Sequence, residues 1–318
     1  MGDFISDHQA PPTTCFSCTR LNRSTFKIVE DDKYHEYPFI YVKITEHVLV
    51  LIDTGCGGAT DDKKVELTSL RAFLETYPVE SNEHAPLNEH GFKDYVVICS
   101  HCHYDHIGAV EQFTDERSCI WASSYDKSFL SPENLPTSSL CRFLDIPTPQ
   151  YKITKWADDG TKLQHKDDDL GLVFFQTPGH VPDELAIWDP AERVLFVGDS
   201  LYEWAPIIFP KEGNLVTFVQ SMTRLRTLVD GWNESPRLKR VTIACGHCTD
   251  DTDAADLLRH VDQFVWNVVD GKEEIKQEEN SRGEIVWTFE QEDGRLSMRT
   301  PKRLVDELRS SNTKNEYP

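Results

Sequence analysis

Tyr95-Val-Val-Ile-Cys-Ser-His-Cys-His-Tyr-Asp-His-Ile-Gly108 joins two signals in one short stretch. Its first half is a continuous apolar run, the pattern of a strand buried on both faces. Its second half packs His101, His103, Asp105 and His106 directly behind that strand. Residues two apart on an extended chain share a face, so His101 and His103 aim at one point. The turn that follows aims Asp105 and His106 at a second point nearby. Imidazole combined with carboxylate suits Zn²⁺, Mn²⁺ or Fe²⁺. Cys102 alternates with the two histidines and reads as facing the core.

Three more donors stand in the same kind of place. Thr177-Pro-Gly-His180, Val197-Gly-Asp199 and Ala244-Cys-Gly-His247 each set a donor just after an apolar run. All three could therefore meet at one edge of a sheet sandwich. A two-ion site needs such a set, with one carboxylate between the ions. The remaining histidines read as structural or surface groups.

With these motifs the chain resembles the metallo-β-lactamase superfamily, the αββα sandwich of metal-dependent hydrolases, from about residue 39 to residue 265. The resemblance implies that His101, His103 and His180 hold one metal. Asp105, His106 and His247 hold the second, and Asp199 bridges. Asp53, in Leu-Ile-Asp-Thr-Gly, resembles the aspartate that braces the ligand loops without binding metal. The full dinuclear set is similar to that of lactonases, hydroxyacylglutathione hydrolases and RNA-processing nucleases.

Asp199-Ser-Leu-Tyr202 resembles the N-acyl homoserine lactonases, which implies that Tyr202 contacts the substrate carbonyl. Fungal members of similar length include polyketide-unloading thioesterases and lactamases that open benzoxazolinones. Two departures leave the substrate open: Asp183 stands at a lactonase glycine, and Ala109 stands at the usual second glycine after Ile107. The expected activity is opening of a lactone, lactam or cyclic carbamate by metal-bridged hydroxide attack, with catalytic roles for Asp105 and Tyr202. An acyl-thioester hydrolase, a phosphodiesterase and a non-catalytic metal-binding protein are the alternatives. Trp204, Pro206, Ile207 and Phe209, just beyond Asp199, form an apolar loop whose residues are pocket candidates, Trp204 and Phe209 foremost.

The rest of the chain is consistent with one globular enzyme. Its 318 residues carry 33 Lys+Arg against 54 Asp+Glu, a net charge of −21. That balance repels a phosphate backbone, so no nucleic-acid partner is expected. No apolar run approaches the ~20 residues of a membrane span, so no membrane partner is expected either. Nine cysteines without a secretion signal read as reduced thiols in the cytoplasm.

Residues 1–35 read as an N-terminal arm and 36–318 as the catalytic domain. A loop-rich insertion is expected near 131–170 and an extension after about 270. Strands are expected at 39–44, 48–52, 95–99, 172–176, 185–188, 194–197 and 241–244. Apolar periodicity predicts helices over 64–76, around 215–229 and around 257–268. The tail alternates at 285–289 and turns back toward 296–298. The oligomeric state is left open.

Overall fold

The computed structural model describes residues 10–166 and 168–311. The first nine residues of the arm, Asp167 of an acidic run and residues 312–318 of the extension lie outside the described residues.

The first sheet runs in chain order: β1 (Phe16–Arg20), β2 (Thr25–Glu30), β3 (Phe39–Ile44), β4 (Val48–Ile52), β5 (Asp94–Ile98), β6 (Ser118–Ser123) and β7 (Lys155–Ala157). The strands β1 to β4 pair antiparallel and β4 to β7 pair parallel. The second sheet contains β8 (Lys162–His165), β9 (Asp168–Gln176), β10 (Leu185–Asp189) and β11 (Val194–Phe196). The chain then leaves it for β12 (Pro206–Ile208) and returns as β13 (Thr242–Ala244) and β14 (Thr252–Asp253).

The two sheets face one another. Tyr41, Val50, Ile52, Val96 and Ile98 of the first pack against Leu172, Phe174, Leu185, Ile187 and Phe196 of the second, all buried. The long helices cover the outer faces. On the first sheet lies α1 (Leu70–Thr76), burying Leu70, Phe73 and Leu74 against Ile40, Val42, Leu49 and Val97. On the second lie α5 (Leu215–Trp232) and α6 (Ala254–Val269), whose apolar stripes pack on Ala186, Trp188, Leu195 and Ile243. This is the αββα sandwich: each sheet buries both faces, one on its partner and one on helices.

Short helices α2 (Tyr104–Ile107), α3 (Leu135–Ser138) and α4 (Cys141–Leu144) lie between β5 and β7. The C-terminal part forms a third sheet in the order β12, β17 (Ser297–Pro301), β16 (Glu284–Glu290), β15 (Ile275–Ser281), closed by α7 (Lys302–Ser310).

The structure departs from the sequence expectations at three places. Within the 1–35 stretch, β1 and β2 join the first sheet. Charged Lys27 and Glu30 break up the apolar signal of β2, yet Phe26 and Ile28 are fully buried. Helix α1 starts at Leu70, because residues 66 and 67 donate their N–H groups to the Thr13 carbonyl and Ser69 caps the helix. The 131–170 stretch carries α3, α4, β7, β8 and the start of β9 in addition to its loops.

Candidate active site

Parallel pairing places the donors. The strands β4 and β5 run side by side, so Asp53 and the His101–His106 loop leave the same end of the first sheet. The strands β11 and β13 are likewise parallel, so Asp199 and His247 leave one end of the second. His180 follows β9 through a turn against which α5 is seated: a Cβ on Gly179 would lie 2.5 Å from Phe218 Cα. The loops approach closely elsewhere too. A Cβ on Gly108 would sit 2.4 Å from the Cys56 carbonyl carbon, and one on Gly246 would sit 2.3 Å from Asp199 Oδ1. Any larger residue at these positions would push the ligand loops apart.

The seven donors form two buried groups, each of which could hold a metal ion: His101, His103 and His180, and Asp105, His106, Asp199 and His247. In the first, His101 Nε2 lies 3.0 Å and His180 Nε2 3.1 Å from His103 Nδ1. In the second, His106 Nε2 is 3.4 Å from both Asp105 Oδ2 and Asp199 Oδ1, and His247 Nε2 is 3.2 Å from Asp105 Oδ2.

The far nitrogens show which atoms face the centre. His180 Nδ1 donates to the Ile208 carbonyl at 2.6 Å, His247 Nδ1 to the Glu36 carbonyl at 2.8 Å and His106 Nδ1 to Asp53 Oδ2 at 2.9 Å. Each leaves its Nε2 lone pair pointing inward, the tautomer a metal ligand needs. One shared proton cannot satisfy three imidazole nitrogens converging within hydrogen-bond distance. His106 Nε2 and Asp199 Oδ1 are buried with no hydrogen-bond partner. Buried polar atoms are rarely left so, and a pair of divalent cations would satisfy all of them. The residues present therefore fit a dimetal site.

Electrostatics divide the two halves. Burial lowers His103 to about 3 and takes His101 well below the usual imidazole range. That half is a neutral nitrogen trio. Burial opposes charge on His106 and His247 as well, but the Asp105 and Asp199 carboxylates outweigh it and raise both. That half carries the carboxylates.

Asp53 accepts from the Ser100 backbone N–H at 2.7 Å and from the Ser100 hydroxyl at 2.8 Å, besides His106. It thus ties the end of β4 to the ligand loop. Glu184 supports the site from the other sheet, a role the sequence reading missed. Fully buried, it accepts from the Asp199 N–H at 3.2 Å and places Oε2 3.7 Å from His101 Nδ1. No periodicity marks it, because it sits in a turn just before β10. Asp183 beside it is buried, and burial pushes its carboxyl up to about 7.

A cavity of about 400 Å³ opens over the donors. Tyr202 lies on its wall, buried, with its ring 5.9 Å from that of His247. Trp204 and Phe209 are placed elsewhere. Trp204 is 65% exposed, and Phe209 is buried against Phe218 and His180. Of that loop Pro206 lines the cavity, with its neighbours Ala205, Ile208 and Pro210, while Ile207 is buried. This segment alternates in and out as β12, which pairs with β17, and the Trp204 and Phe209 N–H groups bond to the Arg295 and Arg299 carbonyls. The C-terminal extension thereby fastens one wall of the cavity. All nine cysteines are free thiols.

A family model described as "Metallo-beta-lactamase superfamily" matches residues 38–247. An Aspergillus versicolor protein described as "Putative transcription factor avaE" is 33% identical over 95% of this chain and 91% of its own length. A Gallus gallus protein described as "Acyl-coenzyme A thioesterase MBLAC2" is 23% identical over 46% of this chain and 56% of its own. Among solved structures, the archaeal superfamily protein ST1585 from Sulfolobus tokodaii covers 82% of this chain and 90% of its own, at TM-score 0.53 and 16% identity. At that identity the structural likeness speaks to the fold alone.

Proposed function

The chain belongs to the metallo-beta-lactamase superfamily, and from that premise we propose a dinuclear metal-dependent hydrolase that opens a small cyclic ester or amide: a lactone, a lactam or a cyclic carbamate. The observation that carries this reading is the convergence of seven buried donors, in two groups, beneath an apolar-walled cavity.

His101, His103 and His180 would hold one divalent ion, and Asp105, His106 and His247 the other, with Asp199 between them. Five imidazoles and two carboxylates favour Zn²⁺, with Mn²⁺ and Fe²⁺ as alternatives. When bound, such a pair supplies Lewis acidity for a carbonyl and lowers the pKa of a water toward ~7. The chain's own residues do the rest. Asp53 and the carbonyls of Glu36 and Ile208 fix the tautomers of His106, His247 and His180, so these donors need no rearrangement on binding. Tyr202, on the wall beside His247, donates to the developing oxyanion. Asp105 carries the proton to the leaving atom. The cavity wall excludes water from the ring being opened.

Acyl-thioester hydrolysis is the second reading, favoured by the description of the Gallus gallus relative. A transcription-factor role, the wording of the Aspergillus relative's description, is disfavoured for this chain where it would need direct contact with a phosphate backbone, by the net charge of −21. No described helix is long and apolar enough to cross a membrane, and the free cysteines suit a reducing compartment such as the cytoplasm.

One experiment tests the reading. Protein purified without chelators is analysed for metal and offered a lactone, a lactam, a cyclic carbamate, a thioester and a phosphodiester. The expected result is about two ions per chain and turnover of a cyclic substrate. Full activity without metal would overturn it.

A further inference from the structure

We infer that Glu36 makes this a site for uncharged, largely apolar acyl substrates and turns anionic ones away, an inference that rests on the hydrolase reading of the same cavity. The wall supplies the first argument. Beyond the metal-capable donors, the cavity is lined by Tyr37, Phe39, Leu140, Ala205, Pro206 and Ile208 among others, and no lining residue is Lys or Arg. A site for a phosphate- or carboxylate-bearing carrier needs a fixed cation to receive it. The acidic side chain that the wall itself adds is Glu36.

Glu36 is held in place from several directions. The Tyr104 hydroxyl donates to its Oε1. Its carbonyl receives His247 Nδ1 at 2.8 Å. Its N–H donates to the Asp32 carboxylate, which also receives the N–H groups of Tyr34 and Tyr37 at 2.7 Å each. On either side of it, His35 and Tyr37 adopt left-handed backbone with φ of 64° and 51°. Non-glycine residues pay strain there, and such strain concentrates where a side chain must be presented in one orientation. Among the described residues, Glu36 has no Lys or Arg within ion-pair distance.

Formal charge supplies the second argument. Asp53, Asp105 and Asp199 are buried around the cluster, and the cavity wall sets no Lys or Arg beside them. Glu36 adds one more acidic group on the wall, an element of repulsion toward anions that separates substrates by charge.

The test uses a pair of lactones alike in shape and unlike in charge, phthalide-5-carboxamide and phthalide-5-carboxylate, with the metal-loaded protein at neutral pH. The wild type should favour the carboxamide by roughly 10- to 100-fold in kcat/KM. Glu36→Gln should shrink that ratio to within about 3-fold, mainly through KM for the carboxylate; its metal content and melting temperature are measured alongside. Equal handling of the two by the wild type, or preference for the carboxylate, overturns the inference. A folded, metal-loaded Glu36→Gln that keeps the wild-type ratio overturns it as well. Should neither lactone be hydrolysed, the hydrolase reading loses support while the inference is still read from Kd by calorimetry. Tighter carboxamide binding by the wild type, lost in the variant, upholds it. No difference between the two overturns it.

Discussion

His103 Nδ1 is the atom that both His101 Nε2 and His180 Nε2 face at about hydrogen-bond distance. Its removal should therefore undo the nitrogen trio. His103→Ala is expected to lower metal content from about two ions per chain to one or fewer. Elemental analysis reads this directly, and an unchanged content would contradict the assignment. Tyr202 plays a different part. It lines the cavity without belonging to the donor groups, so Tyr202→Phe should keep its metal and lose up to ~10²-fold in kcat on whichever substrate is turned over. Unaltered kinetics would remove it from the mechanism. At this scale the donor groups were legible because each member stands directly behind an apolar run. Glu184 and Glu36 were not, since a carboxylate in a turn looks the same whether it faces solvent or a buried imidazole.

The loop after β4 shows how one element positions another. Glu30, on β2, reaches under residues 53–58 and accepts the N–H groups of Cys56 at 2.8 Å and Gly58 at 2.7 Å. That loop in turn receives Gly108, whose N–H donates to the Gly55 carbonyl at 2.7 Å, and so supports the far end of the ligand motif. Burial pushes the Glu30 carboxyl up from 4.5 to about 7, against the two N–H donors that favour its charged form. The folded value lies above the unfolded one. Its contribution is therefore fully present below pH 4.5 and is lost as pH rises through about 7. The loss is about 3 kcal/mol. Glu30→Gln, compared with wild type at equal metal load, should flatten melting temperature between these limits, and parallel curves would refute the assignment. The sequence hinted at none of this, because β2 reads as a short, charge-broken segment whose partners lie in other parts of the chain.

Across the whole molecule, the two sheets are joined by apolar packing and by ion pairs, among them a buried one. Lys43, on β3, meets Asp189 at the end of β10, and Asp189 is completely buried. Lys43→Met would leave that carboxylate without its cation, at a cost of about 3–5 kcal/mol. Urea unfolding at fixed metal load measures it, and a cost below about 1 kcal/mol would show that the pair is dispensable. At this scale the third sheet is the clearest tertiary decision. The alternating tail announced β16 and β17, but nothing in it foretold that β17 would pair with β12 and seat one wall of the cavity. The sequence by itself determined the sandwich and the donor set. Both are written in local pattern: buried strands as continuous apolar runs, helices as apolar stripes, ligands as donors at strand ends. Only the tertiary structure decided which carboxylates brace the imidazoles and which residues wall the cavity. Those roles arise from contacts between segments far apart in the chain, and local pattern carries no record of them.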